Sequence, residues 1–65
     1  MKIDVRNLRR AMAAKDFTAA GLAKAAEVAP SSLNNWLNHG TRPRIDTIGR
    51  LAKALGVDIY DIAKD

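Results

Sequence analysis

The chain has 65 residues, enough for one domain and too few for two, and it contains no cysteine that could form a disulfide or a thiolate-bound metal site. Eleven Lys and Arg against seven Asp and Glu give a net charge of +4, which suits a polyanionic partner but equally fits a solvated basic surface. No signal-peptide pattern opens the chain and no apolar run approaches the roughly 20 residues of a membrane span, so we expect a cytoplasmic protein.

Apolar residues at helical spacing predict an all-α fold of five short helices, over about residues 4–15, 19–26, 30–38, 45–55 and 59–64. Polar residues suited to capping stand at three of the starts: Asp4, Thr18 and Asp58. Pro30 opens the third helix, where a missing amide hydrogen costs nothing. Gly40 follows the third helix and Gly56 the fourth, at positions where glycine commonly ends helices. Because apolar alternation is absent, no strand is expected.

The second and third predicted helices are separated by a three-residue break at 27–29. Small or apolar residues fall where two helices crossing near a right angle would meet: Leu22, Ala23, Ala26, Val28, Leu33 and Trp36. The rest of the third helix carries short hydrogen-bonding side chains and no charge. This pattern is typical of a helix-turn-helix, whose second helix enters the major groove of DNA.

The chain resembles the Cro/CI-type helix-turn-helix family, the lambda-repressor-like domains of phage repressors and small bacterial regulators. The likeness covers nearly the whole chain, through Asn7-Leu8-Arg9-Arg10, Phe17-Thr18, Leu22-Ala23, Ala26, Val28, Leu33, Trp36, Pro43 and Leu51-Ala52-Lys53-Ala54-Leu55-Gly56-Val57. It implies a compact five-helix domain over residues 1–65 that binds DNA.

Four positions depart from the family pattern. Ala19 stands where a Gln usually bonds a phosphate, although the amides that begin helix 2 can still hold one. Glu27 replaces a turn glycine, which costs about 1 kcal/mol if its φ is positive. Met12 and Leu37 occupy the places of an Arg–Glu pair, and we predict that they pack together as an apolar substitute.

The exposed face of the third helix is the expected reader of base edges. With Leu33, Trp36 and Leu37 on the buried face, the candidate base contacts are Pro30, Ser31, Asn34 and Asn35. Asn35 and Ser31 come first, since Asn can bond adenine N6 and N7 together and Ser suits base or phosphate. Trp36 is not expected to stack on single strands, because its spacing places it in the core.

Phosphate or minor-groove contacts are expected at the start of helix 2 and from the end of helix 3 onward, from Thr18, Ala19, Asn38, His39, Thr41, Arg42 and Arg44. The resemblance implies that Arg44, just after the loop proline, can enter the minor groove. Arg9 and Arg10 either reach the backbone or are merely solvated. His39 is the only histidine, so no metal site and no cofactor are expected.

The predicted function is sequence-specific binding of double-stranded DNA by a transcriptional regulator, a Cro-like phage or prophage repressor acting as a weak homodimer on a near-palindromic operator. Of the apolar residues Val57, Ile59, Tyr60 and Ile62, some either form the dimer contact, with Val57, Ile59 and Tyr60 as the candidates, or close the monomer core. An antitoxin or restriction-control regulator of the same fold is an alternative, as is a protein-interaction module that has lost DNA binding. No catalytic constellation is recognisable, so we expect no enzyme, no small-molecule substrate and no membrane partner.

Overall fold

The computed structural model describes residues 1–39 and 41–65, so the predicted role of Gly40 lies outside the described residues. In chain order the elements are β1 (Lys2–Ile3), α1 (Val5–Ala14), α2 (Ala19–Ala26), α3 (Pro30–His39), α4 (Ile45–Leu55), a terminal 3-10 turn (Ile59–Asp61) and β2 (Ala63–Lys64). The described residues thus form a mostly helical fold with four α-helices rather than the five predicted.

Three of the helical segments begin at the caps that the sequence predicts. Oδ1 of Asp4 accepts a hydrogen bond from the amide of Asn7 at 3.1 Å, and Oγ1 of Thr18 accepts one from the amide of Gly21 at 3.0 Å. Asp58 caps the terminal 3-10 turn in the same way. These bonds satisfy amides that the first turn of a helix leaves without an intrahelical acceptor.

The end of the chain differs from the prediction. The fifth helix over 59–64 is wrong, and so is the expectation that the chain has no strand. After the 3-10 turn, β2 pairs antiparallel with β1, and the register places Lys2 opposite Lys64 and Ile3 opposite Ala63. This pairing accompanies almost complete burial of Ile3 and Ile62. A six-residue helix would gain little, because the nucleating turn of a helix is itself unfavourable.

One apolar core joins the helices to the strand pair. α2 packs against both α4 and α3, and α3 also packs against α1. The largest fully buried side chains are Ile3, Leu8, Leu22, Leu33, Ile48, Leu51, Leu55 and Ile62. α3 is therefore held from two sides, by α1 and by α2. No helix of the described residues has the length and apolar character needed to cross a membrane.

Among the described residues, two that are not glycine adopt the left-handed backbone conformation. Glu27 has φ 58°, as predicted for the residue that replaces the usual turn glycine. Asp16 has φ 56° at the end of α1, which the sequence analysis did not predict. Aspartate visits this region more readily than most residues. Gly56, at the end of α4, has φ 70°, which glycine adopts without strain.

Gly49 offers a direct test of helix propensity in α4. A Cβ at this position would meet no described atom within 4 Å outside the local helix backbone, so Gly49→Ala should stabilise the fold by about 0.5–1 kcal/mol. Gly21 in α2 is the matched control, because a Cβ there would lie 3.1 Å from Oγ1 of the Thr18 cap. Urea unfolding should therefore rank Gly49→Ala above Gly21→Ala, and the reverse order would contradict this account.

Candidate nucleic-acid interface

The exposed face of α3 consists of uncharged polar residues and one proline. The exposed residues of this helix are Pro30, Ser31, Asn34, Asn35, Asn38 and His39. On the opposite face Leu33 and Leu37 are buried, with 0% and 5% of their surface exposed. Trp36, expected in the core, is half-buried and packs against it. Every residue predicted to contact a base edge therefore lies on the solvent side of α3.

Ser31, Asn35 and Asn38 form one row along this face, because they are four and then three residues apart. Seven residues of helix rise about 10 Å, which is close to the rise of three base pairs. Asn34 lies beside the row and is also exposed. The row presents hydroxyl and amide groups that both donate and accept hydrogen bonds, as base edges require.

The start of α2 presents backbone amides instead of charged side chains. Thr18 is exposed, and its Oγ1 already accepts the amide of Gly21. Ala19 is half-buried, and its methyl group packs against the core. Its predicted phosphate contact would therefore come from its amide. In an α-helix the amides of Ala19 and Ala20 have no intrahelical acceptor, which is the arrangement that binds anions at helix N-termini.

The loop that follows α3 is tied to the N-terminal strand. The carbonyl of Thr41 accepts a hydrogen bond from the amide of Ile3 at 3.3 Å. Oγ1 of Thr41 is buried and has no hydrogen-bond partner among the described residues. The predicted phosphate contact of Thr41 would therefore require its side chain to rotate outward. Arg42, in contrast, is exposed.

Arg44 forms an ion pair that the sequence analysis missed. Its Nε lies 3.3 Å from Oδ1 of Asp46, and the two side chains are 86% and 62% exposed. Asp46 lies in the first turn of α4, where the positive end of the helix favours a carboxylate. Pairs this exposed are typically worth at most about 1 kcal/mol, so a phosphate can compete for Arg44.

The residues predicted either to form a dimer or to close the core differ in burial. Ile62 is fully buried and closes the core. Val57 and Ile59 are half-buried against that core. Tyr60 is 70% exposed and is one of two large apolar residues described as exposed, the other being Ile45. A dimer contact through Tyr60 stays a prediction.

The two positions that replace the family ion pair both lie in the core. Met12 and Leu37 are 8% and 5% exposed, and α1 packs against α3. Direct contact between the two side chains stays a prediction. A second link between these helices was missed: Nη2 of Arg9 donates to the carbonyl oxygen of Leu37 at 3.2 Å. Helical spacing places Arg9 and Met12 near one face of α1, but it does not indicate the partner on α3.

The fold and this exposed face agree with the family comparison. The model of the family described as helix-turn-helix matches residues 8–62. The chain belongs to the Cro/CI-type helix-turn-helix family. In this helix-turn-helix domain, α2 and α3 are the two helices of the motif and residues 27–29 form its turn. The match supports DNA binding of the kind found in transcriptional regulators.

Three solved structures contain a segment with this fold inside a longer chain. The domain is similar to a mutant of hydroxyethylphosphonate dioxygenase (TM-score 0.86), to native PhpD with cadmium atoms (0.84) and to PhpD with cadmium and hydroethylphosphonate (0.83). Each is 31% identical over the whole of this chain, but the chain spans only 14% of the length of each of those proteins. No curated protein matches the chain.

Proposed function

We propose that this helix-turn-helix domain, over residues 1–65, is a sequence-specific transcriptional regulator, a Cro-like repressor of phage or prophage type. The observation that carries the proposal is the polar, uncharged row on α3 backed by Leu33 and Leu37. In this proposal α3 enters the major groove, and Ser31 and Asn35 bond base edges, flanked by Pro30 and Asn34.

Phosphates would be held around that helix by two groups of residues. The first group, at the start of α2, consists of Thr18 and the amide of Ala19. The second group lies at the end of α3 and in the loop that follows, and consists of Asn38, His39, Thr41 and Arg42. Arg44 would leave Asp46 and enter the minor groove. Because Arg42, Arg44 and the net charge of +4 would displace counterions from the DNA, affinity should fall with added salt.

A single helix of this kind contacts few base pairs, so we propose that two copies bind together. Tyr60 and the exposed parts of Val57 and Ile59 supply the two-fold contact. Such a dimer would place its recognition helices about 34 Å apart and favour a near-palindromic operator. An antitoxin or restriction-control regulator would bind DNA through the same surfaces.

A protein-interaction module is the competing candidate, favoured by Ala19 and by the absence of charge on the exposed α3 side chains before His39. Selection from random duplex DNA at near-physiological salt separates the two. We expect an enriched inverted repeat with half-sites about one helical turn apart. The variant with Ser31 and Asn35 both changed to Ala should enrich no such repeat. Failure of the unmodified protein to enrich any sequence would favour the interaction module.

The Arg44–Asp46 pair predicts that DNA binding can be strengthened by a substitution. Asp46→Asn removes a carboxylate beside Arg44 and should raise affinity for duplex DNA by roughly two- to fivefold at low salt, within the range of an exposed ion pair. Asp65→Asn removes the same charge from the end of the chain and is the matched control. Fluorescence anisotropy with one duplex would compare them, and equal gains would show that only net charge matters.

A further inference from the structure

Among the described residues, Arg9 is the one whose side chain hydrogen-bonds the main chain of α3 from another helix. Its Nη2 donates to the carbonyl oxygen of Leu37 at 3.2 Å, across a sequence separation of 28 residues. Leu37 is the third residue from the end of α3, whereas Arg9 lies in the middle of α1. The bond therefore joins α1 to the last turn of the helix that carries Ser31 and Asn35.

The acceptor of this bond is a carbonyl that α3 cannot satisfy within itself. The last four carbonyls of a helix have no amide four residues further along the helix, and the carbonyl of Leu37 is one of them. These carbonyls also carry the negative end of the helix dipole, which favours a cation close by. The guanidinium of Arg9 supplies both the missing donor and the cation.

The same part of the α1–α3 contact lacks the charged pair expected there. Met12 and Leu37 occupy those two positions and are buried, so apolar packing alone would hold the helices at this point. Apolar packing is not directional, whereas a hydrogen bond fixes the distance and orientation of its partners. The Arg9 bond is thus the directional element of this contact.

We propose that Arg9 is a positioning residue, which fixes the end of α3 so that Ser31 and Asn35 meet base edges in register. This inference rests on the proposed DNA-binding function. A positioning role and a phosphate contact predict different affinities, because loss of a positioning residue weakens binding to the cognate site only. A phosphate contact contributes to binding of every duplex.

The test compares Arg9→Met with Arg10→Met, on the operator enriched by selection and on an unrelated duplex. Arg10 is the adjacent residue, is exposed and has no side-chain hydrogen bond within the described residues. Arg9→Met should weaken operator binding about fivefold more than Arg10→Met, which is the effect of losing roughly one hydrogen bond. On the unrelated duplex the two variants should be equal. Arg9→Lys, which keeps a donor and the charge, should restore most of the loss.

Two results would overturn the proposal. Equal losses on the operator for the two Met variants would remove any special role of Arg9. A loss for Arg9→Met of the same size on both duplexes, with the salt slope smaller by about 0.9 than for Arg10→Met, would make Arg9 a phosphate ligand.

Amide hydrogen exchange of the free protein tests, without DNA, whether Arg9 stabilises the last turn of α3. Exchange in the last turn of α3 should be about fivefold faster in Arg9→Met than in Arg10→Met, with α4 unchanged. Equal exchange in the two variants would overturn the proposal. If the unmodified protein enriches no operator while the exchange difference is found, the DNA-binding function fails and the coupling of α1 to α3 stands.

Discussion

Replacing Asn35 with Ala is expected to weaken binding to the selected operator by on the order of 1–3 kcal/mol and to relax the preference at one base pair. Asn35 is exposed on α3, in the row with Ser31 and Asn38, and its amide can donate and accept at one base edge. In the proposed complex, truncation would remove both bonds and leave the base edge unpaired in the interface. Affinity measurements on the operator and on its single-base variants would show the loss and its position.

Arg42→Gln is the comparator for this prediction. Arg42 is exposed in the loop after α3, outside the row of Ser31, Asn35 and Asn38. Its loss should weaken all duplexes alike and reduce the slope of log affinity against log salt by about 0.9, the effect of one phosphate contact. If Asn35→Ala and Arg42→Gln behaved identically on operator and unrelated DNA, the division between base-reading and phosphate-binding residues would be wrong.

Replacing Leu51 with Ala should cost about 2–5 kcal/mol of the free energy of unfolding. Leu51 is fully buried in α4, which packs against α2, so the substitution leaves a cavity beneath the helix-turn-helix. A domain of 65 residues has a total stability of roughly 3–10 kcal/mol. The variant should therefore be partly unfolded at physiological temperature, and its operator binding should fall accordingly. Circular dichroism during thermal and urea unfolding would measure the loss.

Ile45→Ala is the control on the same helix. Ile45 is 66% exposed, so its truncation should change the free energy of unfolding by no more than about 0.5 kcal/mol. Both residues are aliphatic side chains of α4, so a difference between the two variants would reflect the burial of Leu51. A loss for Ile45→Ala as large as that for Leu51→Ala would mean that Ile45 is covered in solution, for instance by a second copy of the chain.

The elements that the sequence predicts well are those with local signals. Asp4 and Thr18 are capping residues at the starts of α1 and α2, and each bonds an amide three residues along the chain. The positive φ of Glu27 was indicated instead by the family resemblance, which implies a glycine at this position of the turn. The end of the chain was mispredicted, because the pairing of β2 with β1 joins residues about 60 positions apart and has no local pattern.

The candidate interface shows the same division. Helical periodicity alone places Ser31 and Asn35 on the exposed face of α3. The bond from Arg9 to Leu37 depends on how α1 packs on α3, which periodicity cannot supply. The Arg44–Asp46 pair is local, but an extended loop leaves the direction of both side chains undetermined by sequence.

The strand pair places the two ends of the described chain side by side. Residues facing each other in an antiparallel pair have Cα atoms about 5 Å apart, and Lys2 faces Lys64. A carrier protein fused before residue 1 and one fused after residue 65 would therefore emerge from the same region of the surface. Two fluorophores attached at these ends would be adjacent in the native fold, so that their separation would report directly when the terminal strands part.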